Sequence, residues 1–417
     1  MKRINNQPVS QLSNEISSKD IQAMFLERAK NAILATAVEL MEQDMARLCG
    51  EKFSRKSEKD FCHRGGSEQT SLMVDGAKVS VRKPRARKDG KEVELTSLTK
   101  MRDKDLLDEQ MQSRIMRGVS TRNYAEVING FSEKTGISKS SVSRSFKKAS
   151  KKDLDAINNA DLSFYKFVSI MIDGTGFGDR TLIVALGVTD DNQKIPLGLI
   201  EGNTENAEVV KDLLTSITAR HFTFAAERLL AVLDGGKALR AAVIALWGSK
   251  VIIQRCWLHK LRNIQGYIPD VNYPQFYSRM KKIMALNDYN AAKAEVESLA
   301  NWLSTISCDA ESSLREARDE ILTVHLLAMT GEFRRSLSST NLIESLIGVV
   351  KNKMRNVKNW KYHPKTKEEI PRDKVLRWVA SSIQAHRNKM RRVRGGKEQM
   401  KILINKLNQL DLQKVSA

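Results

Sequence analysis

Cysteine is scarce. Cys49, Cys62, Cys256 and Cys308 are the four in 417 residues, and no two form a Cys-x-x-Cys pair. That sparsity excludes a disulfide scaffold and fits a reducing compartment. Proline is also sparse at seven, and glycine stands at 22, so most of the chain is open to helix or strand. No apolar run approaches the ~18 residues of a membrane-spanning helix. The opening MKRINNQPVSQLSNEISSKD lacks the apolar stretch of a secretory signal. Membrane insertion and export are not expected, and a cytoplasmic location is. Internal repeats and low-complexity segments are absent.

What is abundant is positive charge. Lys and Arg number 70 against 49 Asp and Glu, a formal net charge of +21. Such an excess repels itself and calls for a polyanionic partner. With a membrane excluded, double-stranded DNA is the leading candidate. At 41% hydrophobic residues the chain can build real cores, and at ~150 residues per domain it holds two or three of them.

Residues 20–48 read as one long helix. Ile21, Met24, Phe25, Ile33, Val38, Met41, Met45 and Leu48 recur near helical spacing, as in a packing or self-association helix. Residues 50–70 are polar and read as a loop; Cys62 and His63 there lack two further metal ligands at suitable spacing. Residues 72–95 carry two Asp-Gly pairs, Asp75-Gly76 and Asp89-Gly90, which signal hairpins. Five positive charges, Arg82, Lys83, Arg85, Arg87 and Lys88, fall within seven residues there and suggest a phosphate-contacting arm.

Residues 105–150 fit a helix-turn-helix: a first helix at about 106–117, a second from Ser120 or Thr121 to Gly136, and a third from Ser138. Lys139, Ser140, Ser141, Ser143 and Arg144 would face DNA from the third helix, with Ile137, Val142 and Phe146 packed inward. A plain helical hairpin is the alternative.

FVSIMID, TLIVALGV, KIPLGLIEG, RLLAVLD and KVIIQRC read as five strands. The first three follow one another through short turns, and helices flank the fourth. That order predicts an α/β layer arrangement. Residues 261–335 read as mostly helical, as do 340–357 and 372–390, and Arg387, Lys389, Arg391, Arg392, Arg394 and Lys397 make a basic tail.

Two apolar strands end on an acid, at Asp173 and Asp234. A carboxylate there costs solvation unless a cation compensates, and paired carboxylates suit Mg²⁺ or Mn²⁺. Each Asp also precedes a Gly and fits a turn, and Asp179, Asp190 and Asp191 lie near strand ends too. Glu344 offers a third carboxylate, but with Asn341 as N-cap it also fits a capping box. Cys256 and His259, three apart, fall short of a closed zinc site. A structural cysteine and a histidine bonded to a phosphate or carboxylate is the simpler reading. Trp257 between them fits either a core or a base-stacking role.

Taken together, IMIDGTGFGDRTLIVALGVTDDNQKIPLGLIEGNTENAEVV, LLAVLDGGKALRAAV, IIQRCWLHKLRNI and SLSSTNLIESLIGVVKNKMRNVKNW resemble the Mutator-type transposases of bacterial insertion sequences, in the DDE recombinase group. They keep the family's order across about 165–378, with weaker similarity back through the hairpin and GVSTRNYAEVI. The resemblance implies a catalytic triad of Asp173, Asp234 and Glu344 that holds Mg²⁺ or Mn²⁺. It implies a Cys-x-x-His signature at Cys256 and His259, with His259 orienting DNA or the acidic cluster. It also implies an α/β ribonuclease-H-like core with a helical insertion, behind mainly helical N-terminal DNA-binding domains. The expected organisation is a helical region 1–70, a basic hairpin arm 71–104, a helix-turn-helix domain 105–155, the first part of the core 160–260, the insertion 261–335, and a segment 336–417 with the Glu344 helix and basic helices. The implied chemistry is cleavage at element ends by a metal-activated water, then attack of the released 3′-hydroxyl on target DNA. Acting on two ends calls for at least a homodimer, associated with the bacterial nucleoid. A non-catalytic helix-turn-helix regulator and a nuclease that cuts without joining are the competing readings.

Overall fold

The computed structural model describes residues 18–53, 62–74, 77–102, 112–117, 139–178, 180–202, 206–357, 360 and 373–410. The chain divides into two compact units, Met1–Ala149 and Ser150–Ala417.

In the first unit, α1 (Ser18–Cys49) packs against a three-stranded antiparallel sheet of β1 (His63–Val74), β2 (Ala77–Lys88) and β3 (Lys91–Val93). Ala37, Met41, Met45 and Cys49, four residues apart along one helix face, are buried with Leu72, Val81 and Ala86 of the sheet and with Leu95 and Leu98. The earlier part of the stripe does not join them: Ile21, Met24, Phe25, Ile33 and Val38 are exposed. Asp44, buried on α1, accepts the Ser97 N–H at 2.6 Å, at the start of α2 (Thr96–Met101). The expected loop over 50–70 ends early, because β1 begins at His63. Apolar alternation does not announce this strand. Its ladder with β2 and polar cross-strand pairs hold it, Lys83 to Glu68 at 2.7 Å and Gln69 to Ser80 at 2.7 Å. Asp89 (φ 51°) and Gly90 (φ 76°) form the two-residue turn between β2 and β3, as their sequence predicts. The first predicted hairpin turn, at Asp75-Gly76, lies outside the described residues.

The helix α3 (Lys139–Asn158) covers the stretch expected to hold the third helix of the motif. The second helix of that motif and its turn lie outside the described residues.

The second unit is a mixed α/β fold built on a mixed sheet. Its strands are β4 (Lys166–Phe177), β5 (Arg180–Thr189), β6 (Lys194–Glu201), β8 (Leu229–Leu233) and β9 (Val251–Arg255), in spatial order β6-β5-β4-β8-β9. The two-residue β7 (Thr223–Phe224) also pairs with β4. The first three run antiparallel, while β8 and β9 lie parallel to β4. Residues of α4 (Ala207–Thr218) and α5 (Lys237–Trp247) bury one sheet face with Phe167, Ile170 and Ile172. Met171, Phe177, Val184 and Val232 point the other way.

Between β9 and the last helices lies a helical stretch with its own core. It comprises α6 (Trp257–Gln265), α7 (Tyr273–Ala285), α8 (Tyr289–Ser304) and α9 (Cys308–Ala317). Trp257, Phe276, Met280, Leu299, Leu303 and Leu314 fill that core. The chain returns through α10 (Thr323–Leu326) and α11 (Gly331–Leu337) to α12 (Asn341–Met354), α13 (Asp373–Arg387) and α14 (Gly396–Gln409), which cover the second sheet face. The basic tail thus holds a helix its charge concealed. Met400, Leu403 and Leu407, at i, i+3 and i+7, are buried in the core.

Candidate active site

Side chains alternate along a strand, so Asp173, two after Met171, falls on the face covered by α12. β4 and β8 are parallel with Ile172 opposite Leu233, so the next residues are level with each other: Asp234 leaves β8, while Asp173 lies within β4, which runs on to Phe177. β9 is in register too, with Leu233 opposite Arg255, and the Cys256 N–H donates to Leu233 O at 2.7 Å. Asp234 and Cys256 thus follow the carboxyl ends of β8 and β9, level with Asp173 inside the longer β4, on the side where open α/β sheets bind their ligands. Of the other sequence candidates, Asp190 and Asp191 sit in the turn beyond Thr189, which lies opposite Phe167 at the far end of β4. Asp191 is engaged there with Gln193 at 2.6 Å and Arg392 at 3.6 Å. Asp179 lies outside the described residues.

The turn after Asp234 needs glycine. Gly235 has φ +108°, and a Cβ there would fall 2.5 Å from Arg255 Nη1. The Gly236 N–H then donates to Asp234 Oδ1 at 2.9 Å. Asp173 is buried at 8% exposure. Burial, then the charge of Asp234, pushes its carboxyl up to about 6, with Glu344 adding to the rise and His259 opposing it.

Glu344 and His259 complete the cluster from opposite elements. His259 lies in the first turn of α6, and its Nδ1 is 3.9 Å from Glu344 Oε1 in the first turn of α12. A hydrogen bond with Cys256, helped by the Asp234 and Glu344 charges, holds His259 above its usual range despite burial. Burial raises the Cys256 thiol, but its hydrogen bonds with His259 and Thr340 leave it below the ordinary thiol range. The capping box shifts by one residue: Thr340, not Asn341, is the N-cap, so Glu344 falls at the fourth helical position instead of the third. Its Oε1 accepts a hydrogen bond from the Thr340 hydroxyl at 2.7 Å. The sequence does not single out Thr340, although it stands inside the stretch SLSSTNLIESLIGVVKNKMRNVKNW, directly before Asn341.

Among the described residues, the donor atoms of Cys256, His259 and Glu344 form the group lying within 4.8 Å of one another. Asp173, Asp234 and Glu344 do not close to that distance as a set. Trp257 is 1% exposed in the core of the helical stretch, with no face free for a base.

The residues assigned to DNA contact are spread elsewhere. Ser143 and Arg144 are exposed on α3, while Val142 and Phe146 are buried as expected; the side chains of Lys139, Ser140 and Ser141 lie outside the described residues, as does Ile137. On β2, Lys83 is held by Glu68 and Glu92 and Arg85 by Glu92, so their charges are largely answered within the sheet. Arg82 is exposed, its Nε 2.9 Å from Ser67 Oγ, and Arg87 lies half-buried over Gly65.

The model of the Mutator family of transposases matches residues 6–375. The chain belongs to that family. It is 26% identical over 243 residues to the transposase for insertion sequence element IS6120 of Mycolicibacterium smegmatis, covering 57% of this chain and 73% of that one. It is 24% identical over 357 residues to the transposase for IS256 in transposon Tn4001 of Staphylococcus aureus, covering 81% of this chain and 88% of the relative. To the transposase for IST2 of Acidithiobacillus ferrooxidans it is 28% identical over 179 residues, 43% of this chain and 58% of that protein. Among the described residues, no helix is long and apolar enough to cross a membrane.

Proposed function

We propose that this Mutator-family chain is a DDE transposase that binds the ends of an insertion sequence, cleaves them and joins the released 3′-hydroxyl to target DNA. The observation that carries the reading is that Asp173 of β4 and Asp234, just past the end of the adjacent parallel β8, are near enough for the charge of one to raise the other, on the sheet face covered by the helix that bears Glu344. Burial first and the Asp234 charge second raise Asp173 to about 6, so negative charge here is an excess that costs solvation. A divalent cation answers that excess, and three carboxylates are the hard oxygen donors that Mg²⁺ or Mn²⁺ takes. By their chemistry Asp173, Asp234 and Glu344 therefore suit such an ion and would hold it, although they do not lie within 4.8 Å of one another as a set. When bound, the cation supplies charge stabilisation to the phosphodiester undergoing in-line displacement.

The chain's own part is positioning. Asp173 stands within β4 and Asp234 directly after β8, both fixed by the sheet ladder. Glu344 comes from α12, and half-buried His259 faces both Asp234 and Glu344, ready to orient a phosphate or the acids themselves. In the first step a water oxygen bonds to phosphorus and the P–O3′ bond breaks, leaving a 3′-hydroxyl and a 5′-phosphate. In the second, the 3′-oxygen bonds to a target phosphorus and a target P–O3′ bond breaks. No covalent link to the protein is needed.

Three antiparallel strands followed by two parallel ones support a ribonuclease-H-like reading of the second unit, with 261–335 as its helical insertion. The net charge of +21 supports double-stranded DNA as the partner. Exposed Ser143 and Arg144 on α3 support the recognition-helix reading, with Lys139, Ser140 and Ser141 on the same helix. On β2, Arg82 and Arg87 are better placed for phosphates than Lys83 and Arg85. Two element ends call for a homodimer or larger assembly on DNA.

The deciding experiment incubates the protein with labelled element-end DNA and a plasmid target, in Mg²⁺, in Mn²⁺ and in EDTA. Cleaved ends and joined product are expected with either metal and neither with EDTA. Binding without cleavage in both metals would establish a regulator, and cleavage without joining a nuclease. Within the same system, Arg144→Ala should weaken binding to element ends by about 1–3 kcal/mol more than binding to random DNA. An equal loss on both DNAs, by competition gel shift, would make Arg144 a phosphate contact.

A further inference from the structure

We infer that Thr340 is a positioning residue for Glu344: its hydroxyl is the junction through which Cys256 and His259 fix the direction of the glutamate carboxylate. Thr340 is fully buried. Its Oγ1 lies 2.7 Å from Glu344 Oε1, 3.3 Å from His259 Nδ1 and 3.3 Å from Cys256 Sγ. Its backbone N–H donates to the same sulfur at 3.3 Å. A hydroxyl has one proton to give and two lone pairs to offer. The shortest of these contacts runs to the carboxylate, and a charged acceptor makes the strongest bond, so the proton goes to Glu344. The lone pairs are left for His259 Nδ1–H and the thiol. Glu344 is thereby tied to two residues 85 and 88 positions away in the chain through one oxygen.

The start of α12 carries a second mark of this role. A threonine at an N-cap ordinarily turns its hydroxyl to the first backbone N–H groups of its helix. Thr340 is the N-cap of α12 and makes no such bond. Its hydroxyl is given to the glutamate one turn on.

The Cys256, His259 and Glu344 donors are also close enough together to suggest a thiophilic cation. The atom at hydrogen-bond distance from all three is the Thr340 hydroxyl. Closed zinc sites take all four ligands from cysteine, histidine and carboxylate, and a neutral hydroxyl already at hydrogen-bond distance from each donor fits a junction better. The Cys-x-x-His signature then acts on the reaction through Glu344.

This inference rests on the proposed role of Glu344, and the experiment separates the two. Thr340→Val, Thr340→Ser, His259→Ala and Glu344→Gln are compared with the wild type in single-turnover cleavage of element-end DNA across a Mg²⁺ titration. Circular dichroism, end-binding and zinc content are measured alongside. Thr340→Val should slow cleavage at least about tenfold and raise the Mg²⁺ midpoint, as loss of a ligand's supporting bond does. End-binding should stay unchanged, and Thr340→Ser should restore both the rate and the midpoint. Half-buried His259 keeps the test open if Thr340→Val does not fold, since His259→Ala should shift the Mg²⁺ midpoint in the same direction. Wild-type rate and midpoint in Thr340→Val, or in His259→Ala if the valine variant does not fold, beside an inactive Glu344→Gln, would overturn the junction alone. One firmly held zinc ion per chain would overturn it in favour of a metal centre. An active Glu344→Gln would remove the role of Glu344 itself and the junction with it.

Discussion

Asp173→Asn should abolish cleavage and at the same time stabilise the metal-free protein at neutral pH. The two effects have one origin. The Asp173 carboxyl is 8% exposed and rises to about 6, by burial and by Asp234 beside it. An unfolded aspartate titrates near 3.9. A carboxyl whose pKa is raised on folding contributes most when protonated: the folded state binds more protons than the unfolded one between about pH 4 and 6, so stability falls as pH rises through that window. Above it the ionised group costs about 3 kcal/mol at most, from roughly two units at ~1.4 kcal/mol each. Asparagine keeps the shape and has no such charge. In EDTA at pH 7.5 the variant should melt several degrees above the wild type, the advantage shrinking to nothing near pH 4. Saturating Mg²⁺ should narrow or reverse the order, because the wild type gains by binding it. Cleavage should fall by about a thousandfold or more, the cation's several kcal/mol converted at ~1.4 kcal/mol per tenfold. Thermal melts at pH 4.5 and 7.5 with and without Mg²⁺ measure the first effect and an end-cleavage assay the second. An Asn variant no more stable than wild type in EDTA at pH 7.5 would mean that Asp173 carries no folding penalty.

The cost of a carboxylate in an apolar setting is also why two of the three proposed acids could be picked out from sequence. A carboxylate breaks the apolar pattern of RLLAVLD at the strand's end, and that of FVSIMID within the strand, since β4 runs on to Phe177 instead of closing at Asp173. The register of parallel strands then brings the two breaks together, which no local pattern states. Glu344 was legible only through its motif, because a capping role explains the same residue; the structure moves the cap to Thr340. The helices between β9 and α11 announced themselves by period, and α14 did not, since its charge outweighed Met400, Leu403 and Leu407. The basic arm was only partly legible. Counting charges along β2 could not reveal that Glu68 and Glu92 face Lys83 and Arg85 across the sheet. What remained hidden are bonds between residues far apart in sequence, Cys256 to Thr340 among them.

Arg255 is another of these, and its loss should be costly. It ends β9 at 5% exposure, and its guanidinium holds three partners: Glu320 at 3.1 Å, Glu316, and the Gly235 carbonyl beside Asp234. One side chain thus ties the helical stretch to the turn that aims an acid of the site. Removing one partner of a buried ion pair usually costs about 3–5 kcal/mol. Here Lys260 stays on Glu316 at 3.0 Å and Arg240 on Glu320 at 2.7 Å, so the lower end of that range, about 3 kcal/mol, is expected for Arg255→Met. Methionine fills much of the volume, which makes lost bonding the cause and not a cavity. Freed from Arg255, the Gly235 carbonyl no longer fixes the turn, and cleavage should drop by up to about a hundredfold, as for other supporting contacts around metal ligands. Lysine at 255 keeps the charge but cannot reach three acceptors in a plane, so it should recover stability better than activity. Denaturant melts paired with cleavage rates for both variants test this. Equal recovery of both by lysine would show that charge alone matters at this position and that the turn needs no tether.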